Sequence, residues 1–233
     1  SNYGLKQIYN WFDWGNPEAA EIAALYTVAS NLFRIGDVHH SALFLKKIPI
    51  HLWNADIAEL GLTCMLFQGR WKHHGRLMEQ VKQRNILAPQ QIKLLRQKAD
   101  RYWRSTQGLR RVLNKQNPQK IDAHLKTLTE EGDFPLSPDC AVKMAMHLLK
   151  HTGDQHVSFS SSISFKLLQR AVMTDPVDQA IYQEICKLPI SEADRDIISS
   201  MRNRMLTDWD CPDRRPTIGE KRRQNSISYC QQS

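Results

Sequence analysis

The sequence predicts an all-α fold of stacked antiparallel helical hairpins, arranged either as a repeat-type α-solenoid or as an irregular helical bundle. Apolar residues recur at three- and four-residue intervals in successive segments, which is the spacing of an amphipathic helix. No alternating Val, Ile and Thr stretch of convincing length indicates a strand. Several of the segments open with a helix-capping residue followed by proline, a strong signal for a helix start. These pairs are Asn16-Pro17, Asn117-Pro118, Ser137-Pro138 and Asp175-Pro176.

The chain is long and apolar enough to bury a substantial core. With 233 residues and 41% hydrophobic content, it can form one elongated domain or two small ones. No run of about 18 apolar residues is present, so no membrane span is expected. The chain opens with neither a signal sequence nor an initiating Met, and we expect it to be part of a larger protein or assembly.

The cysteines favour a reducing compartment. There are five, an odd number, and they lie far apart without any CxxC pair. Secreted disulfide frameworks have even numbers at short spacings, so an intracellular, cytoplasmic location is expected. The first three of the five fall in apolar helical patterns. The five are Cys64, Cys140, Cys186, Cys211 and Cys230.

The segment of residues 1–81 predicts an aromatic N-terminal helix and two helical hairpins. Residues 3–14 carry Leu5, Ile8, Tyr9, Trp11, Phe12 and Trp14 and are expected to pack on the next helix. The helix that starts at Asn16-Pro17 runs to Gly36, and its partner ends before Pro49. The pattern then repeats around a second turn glycine, Gly69.

This pattern resembles the tetratricopeptide repeat, a family of stacked helical hairpins with a period of about 34 residues. The resemblance covers residues 17–81 and implies a scaffold for protein–protein interaction. It departs from the repeat because the usual Trp and Tyr are absent, Ser41 replaces a small Ala, and one extra residue precedes Gly69. The residues that match the repeat's Trp, Leu, Gly and Tyr positions are Leu25, Val28, Ala29 and Leu32, then Ile57, Leu60, Gly61 and Cys64.

Residues 82–126 form a strongly basic helical segment. They contain twelve of the chain's 32 Lys and Arg residues and two acids, Asp100 and Asp122. A helix over residues 90–115 would be about 39 Å long, although Gly108 could end or bend it. Seven residues have the spacing of a buried face: Ile92, Leu95, Ala99, Tyr102, Thr106, Leu109 and Leu113. The cations must therefore crowd the remaining surface.

The remainder divides into an irregular helical half, residues 127–207, and a basic flexible tail, residues 208–233. In the helical half, serines of residues 158–162 are expected to cap one helix, Asp175-Pro176 to start the next, and Ser191 to cap the last. The spacing of the glycine turns changes here, so the period of the N-terminal hairpins is not sustained.

No recognised catalytic or cofactor motif is present, and we expect a non-enzymatic protein without cofactors or metals. HExxH, CxxC, GxSxG, the Walker loop and GxGxxG are all missing. His147 and His151 are four residues apart, but zinc needs three or four ligands. Two histidine pairs, which begin at His39 and His73, recur at nearly corresponding points of the two hairpins. Exposed helix positions are their simplest interpretation.

The pI near 9.3 favours an anionic partner. Our first hypothesis is a helical adaptor that binds an acidic protein or peptide, because the planar guanidinium group can bind a carboxylate through two hydrogen bonds. On this view, reversing Arg110 and Arg111 to Glu abolishes partner capture without changing the helical signal. The alternative is nucleic-acid binding by the same segment, with Tyr102 or Trp103 stacked on a base. The candidate binding residues are Lys93, Arg96, Arg101, Arg104, Arg110, Arg111 and Lys115.

Overall fold

The computed structural model describes residues 18–115, 119–121, 123, 136–151 and 162–207. The N-terminal helices are α1 (Ala19–Arg34), α2 (Val38–Lys47), α3 (Ala55–Phe67) and α4 (Trp71–Gln83), with a 3₁₀ turn at Ile50–Leu52. The long helix α5 spans Pro89–Asn114. The C-terminal helices are α6 (Pro138–His151), α7 (Ile163–Thr174), α8 (Gln179–Cys186) and α9 (Glu192–Thr207).

The all-α prediction is confirmed. Over the described ranges the secondary structure is helix and turn without strands, and neighbouring helices pack against one another. Within those ranges no helix has the length and apolar character needed to cross a bilayer. The predicted N-terminal aromatic helix and the C-terminal tail lie outside the described residues.

The two N-terminal hairpins turn at the predicted glycines. Gly36 and Gly69 adopt φ angles of +88° and +68°, a left-handed conformation that residues with a Cβ rarely adopt. In the first turn, Asp37 then caps α2 by accepting a hydrogen bond from the backbone N–H of His40 at 3.0 Å. Asn54 caps α3 in the same manner through Ile57.

Gly61 gives the indole of Trp53 its place against α3. A Cβ at this glycine would lie 3.0 and 3.1 Å from two atoms of the Trp53 ring. The indole N–H donates a hydrogen bond to the carbonyl of Ile48 at 2.7 Å, which fixes the position of the ring. Glycine at position 61 therefore allows the indole of Trp53 to pack close to the backbone of α3.

Helix α5 is continuous and belongs to two cores. It matches the helix predicted over residues 90–115 and passes through Gly108 without ending. Near its start, Ile92 and Leu95 pack with residues of α3 and α4. Near its end, Leu109 and Leu113 pack with residues of α6, α7, α8 and α9. The predicted apolar spacing is thus confirmed, but its two ends serve different helices.

In the C-terminal half, α7 buries one face against α6 and α9. Leu168, Ala171 and Val172 form this buried face. The predicted serine cap is present, because the hydroxyl of Ser162 accepts a hydrogen bond from the backbone N–H of Phe165 at 3.0 Å. Ser191 likewise caps α9 through Asp194.

The helix expected to start at Asp175-Pro176 begins later. Its cap is Asp178, which accepts a hydrogen bond from the N–H of Ala180 at 2.9 Å. Asp175 turns inward instead and receives two hydrogen bonds from the Arg70 guanidinium, at 3.1 and 3.2 Å. Asp175 therefore links α7 to the N-terminal half through an ion pair with Arg70 and does not cap α8.

Several polar side chains are more buried, or more exposed, than the sequence suggests. His39, His40 and His74 are buried, so the simple interpretation of exposed histidines was wrong for three of four positions. The imidazole Nδ1 of His40 lies 2.7 Å from a carboxylate oxygen of Asp37, which compensates its burial. Cys186, which lies in an apolar helical pattern, is exposed.

Candidate functional site

Five of the seven candidate cations, four in α5 and Lys115 at its C-cap, lie together on the solvent side of the helix, which we call the basic face. Its members are exposed and form no ion pair with any residue that the structure describes. Between the first and the last of them the helix rises by about 33 Å. Asp100 is the one acid in α5, and it also lies on the exposed side. The basic face consists of Lys93, Arg101, Arg104, Arg111 and Lys115.

The other two candidates, Arg96 and Arg110, have partners within the chain. Arg96 lies 2.6 Å from Glu79 of α4, and both of these side chains are about half exposed. Arg110 donates two hydrogen bonds to Asp139 of α6, at 2.7 and 2.9 Å. Both groups of this second pair are about two-thirds buried. Arg110 therefore joins α5 to α6, whereas its neighbour Arg111 remains free to meet a ligand.

The electrostatics of the Arg110–Asp139 pair agree with a structural role. Burial alone would raise the pKa of Asp139, but the hydrogen bonds and charge of Arg110, together with Ser137 and Lys143, outweigh burial and lower it. The hydrogen bond to Asp139 raises the pKa of Arg110 in turn. Both groups are charged at neutral pH, and each one compensates the burial of the other.

A row of aromatic rings crosses the protein beneath the basic face. Phe33 and Phe67 have ring centroids 5.1 Å apart, and Phe67 stacks on Tyr102 at 6.2 Å. Trp71 contacts Tyr102 at 5.3 Å and meets Trp103 edge-on at 4.7 Å. Tyr102 is buried and therefore unable to stack on a base, while Trp103 is 41% exposed.

A second basic feature, missed in the sequence, is an open cleft of about 760 Å³ between the α1–α2 turn and α7. We call it the basic cleft. It is lined at the rim by Arg34, Lys98, Lys166 and Arg170, and no acidic residue is among the described residues that line it. Lys98 comes from α5 and lies one turn before Arg101, about 60° around the helix axis. The basic cleft therefore borders the basic face at this end, although Arg104 lies about 120° around the helix from Lys98.

The α7 side of the cleft follows from helical spacing. Lys166, Arg170 and Met173 are four and three residues apart and so share one face of α7. The opposite face is the one buried in the C-terminal core. A pair of cations four residues apart was visible in the sequence, but the contributions of α1 and α5 come from distant segments, and only the fold brings them together.

The described residues offer no clear site for metal or acid–base chemistry. No cluster of three or more His, Cys, Asp or Glu with metal-binding geometry occurs within the described ranges. His147 and His151 have ring centroids 4.8 Å apart and supply two ligands only. Burial raises the pKa of the Cys64 thiol to about 12 and that of Cys140 to about 11, the opposite of the shift that activates a nucleophilic cysteine.

Comparisons of the chain with protein-family models, with curated proteins and with solved structures found no match.

Proposed function

We propose that this chain is a non-enzymatic helical adaptor module that binds an acidic segment of another protein through the basic face of α5. The observation that supports the proposal is a row of five cations on one exposed helix face, unpaired among the described residues and held in a helix that is anchored in two cores. Three of the five are arginines, whose planar guanidinium groups bind carboxylates through paired hydrogen bonds.

Charge steers an acidic partner toward such a face and raises the association rate more than the affinity. Each exposed ion pair contributes about 1 kcal/mol or less. Binding therefore needs several cations to act together, and losing two of five should be enough to abolish stable capture at physiological salt.

The test is a pull-down from a lysate of the source cell with the variant Arg104→Glu/Arg111→Glu. Both residues are exposed and lack intramolecular ion pairs among the described residues, so the variant should fold. A matched control, Lys72→Glu/Arg204→Glu, makes the same change in net charge away from the basic face. We expect wild type and control to retain one acidic protein after nuclease treatment, and the Arg104/Arg111 variant to lose it.

Two outcomes would reject the proposal. Equal capture of that protein by the Arg104/Arg111 variant would remove the basic face as the binding surface. Loss of all capture on nuclease treatment would favour the nucleic-acid alternative. In that case, affinity for an oligonucleotide should fall steeply with salt, by about 0.7 logarithmic units per contacted phosphate of a single strand.

A further inference from the structure

The basic cleft combines a cationic rim with an apolar floor. We propose that it anchors an acidic segment of the partner protein by accepting one large apolar side chain, such as Leu or Phe, from that segment. This inference rests on the proposed function, because it adds a side-chain pocket to the same acidic partner. It predicts a recognised sequence in which acidic residues flank an apolar anchor.

The rim supplies the charge complementarity. Arg34 extends from the end of α1, Lys98 from α5, and Lys166 and Arg170 from α7. None of the four forms an ion pair with a residue in the described part of the chain. Like charges that converge on a concave surface raise the local concentration of an opposite charge more than a flat face does. Acidic residues on both sides of the anchor would each find a cation.

The floor supplies the apolar contact. Phe33, Phe67 and Met173 are half-buried there, and Val38 is buried below them. Methionine adapts its shape to irregular apolar groups. At the edge, Ile35 keeps 70% of its surface exposed, which is unusual for an isoleucine. The volume of about 760 Å³ lies in the range of pockets that bind ligands.

The arrangement of the aromatic rings favours a protein segment over a nucleic acid. Single-stranded nucleic acids bind to aromatic faces on which a base can stack. Here Phe33 and Phe67 contact one another at an interplanar angle of 45°, and Phe67 also stacks on Tyr102. The stacked contact with Tyr102 covers one face of the Phe67 ring, and the tilted Phe33 ring crowds it from the side. An aliphatic or aromatic side chain can pack on such tilted, half-buried rings, whereas a base needs an open flat face on which to stack.

The experiment compares two fluorescein-labelled peptides by fluorescence anisotropy with the full chain. The peptides are equal in length and contain the same number of Glu and Asp residues. One carries a single central Phe, and the other has Ser at that position. We expect the apolar peptide to bind wild type about tenfold more tightly, the ratio that corresponds to partial burial of one large side chain. A labelled oligothymidylate of matching length serves as the nucleic-acid probe.

Matched variants locate the effect. Lys98→Glu/Lys166→Glu reverses two exposed cations of the cleft and should weaken both peptides. Ile35→Ser removes exposed apolar surface at the edge without a change of charge and should lower the ratio between the peptides by about threefold. Arg104→Glu/Arg111→Glu, on the basic face, should weaken both peptides equally and preserve the ratio. Far-UV circular dichroism verifies that each variant is folded.

A crosslinking measurement reports on position independently of affinity. When p-benzoylphenylalanine replaces the Phe of the apolar peptide, irradiation should join it to Met173, because benzophenone reacts readily with a neighbouring methionine. Peptide mass spectrometry then identifies the attachment point. A crosslink confined to α4, α8 or α9 would place the anchor elsewhere and overturn the assignment of the cleft.

The results separate failure of the cleft from failure of the proposed function. Equal affinity of the two peptides for wild type would overturn the anchor pocket but leave the basic face in place. If the affinity ratio is tenfold and Arg104→Glu/Arg111→Glu changes the affinity of neither peptide, the pocket is upheld and the basic face is rejected. Absence of peptide binding, or tighter binding of the oligothymidylate than of either peptide, would overturn both.

Discussion

Replacing Arg110 by Glu should destabilise the protein, although the same change at the adjacent Arg111 should not. The guanidinium of Arg110 forms two charge-assisted hydrogen bonds with Asp139 across the α5–α6 contact. Their loss costs about 1 to 2 kcal/mol once the partial exposure of the pair is taken into account. A glutamate there also sets two carboxylates face to face, which adds about 1 kcal/mol. Arg111 is exposed, and its reversal should change the free energy of unfolding by about 0.5 kcal/mol or less.

The total for Arg110→Glu is about 2 to 3 kcal/mol, or a fall in Tm of about 5 to 10 °C for a chain of this size. Urea denaturation followed by circular dichroism measures both variants. A double-mutant cycle of Arg110→Gln and Asp139→Asn isolates the pair, with an expected coupling of about 1 to 2 kcal/mol. If Arg110→Glu and Arg111→Glu unfold at the same urea concentration, the ion pair has no structural role.

The pH dependence of this coupling has a definite sign. Because the folded state lowers the pKa of Asp139, the ion pair stabilises the fold fully at pH values above the pKa of an aspartate in the unfolded chain, about 3.9. It is lost as the pH falls through the lowered pKa. The coupling should therefore be equal at pH 5 and pH 7 and decline below about pH 4. Coupling that disappears between pH 7 and pH 5 would contradict this account.

Three further predictions concern packing and protonation. Gly61→Ala should lower the free energy of unfolding by about 1 to 2 kcal/mol, because the new methyl group meets the fixed indole of Trp53. Gly108→Ala should raise it by about 0.5 to 1 kcal/mol, because no atom lies within 4 Å of the added Cβ. A change of the same sign for both variants in urea denaturation would refute the argument. Burial lowers the pKa of His74, so the free energy of unfolding should fall as the pH drops below about 6.5. His74→Leu should reduce the fall between pH 7.5 and pH 5.5 by up to about 1 kcal/mol. An unchanged fall in the variant would count against a role for His74. Iodoacetamide should label Cys186 in the folded protein but Cys64 only after unfolding, because Cys64 is buried and burial raises the pKa of its thiol to about 12. Peptide mass spectrometry would detect the labelled residue. Labelling of both cysteines at similar rates would contradict the burial of Cys64.

Local signals account for the part of the fold that could be predicted. The apolar spacing in α5, the turns at Gly36 and Gly69, and the cap at Ser162 each depend on residues close together in the chain. Such patterns reflect backbone and helix geometry directly. Their success made the all-α prediction secure.

The errors arose where the outcome depends on a distant partner. Arg110 and Arg111 look equivalent in the sequence, yet Asp139 lies opposite only one of them. Asp175 has the local signature of a helix cap, but the ion pair with Arg70 draws it inward. A single sequence carries no signal for either pairing. The basic cleft was hidden for the same reason, because its lining comes from five helices, α1, α2, α3, α5 and α7, and from the α1–α2 turn.

The position of α5 in two cores limits how this protein can be dissected. A fragment that ends before Pro89 would leave Ala58, Leu62 and Met78 without the apolar cover that Ile92 and Leu95 provide. A fragment that starts after Asn114 would open the other core in the same way, because Leu109 and Leu113 would be missing. Fragments should therefore keep the whole of α5. A fragment that lacks it would expose a contiguous apolar surface and should aggregate.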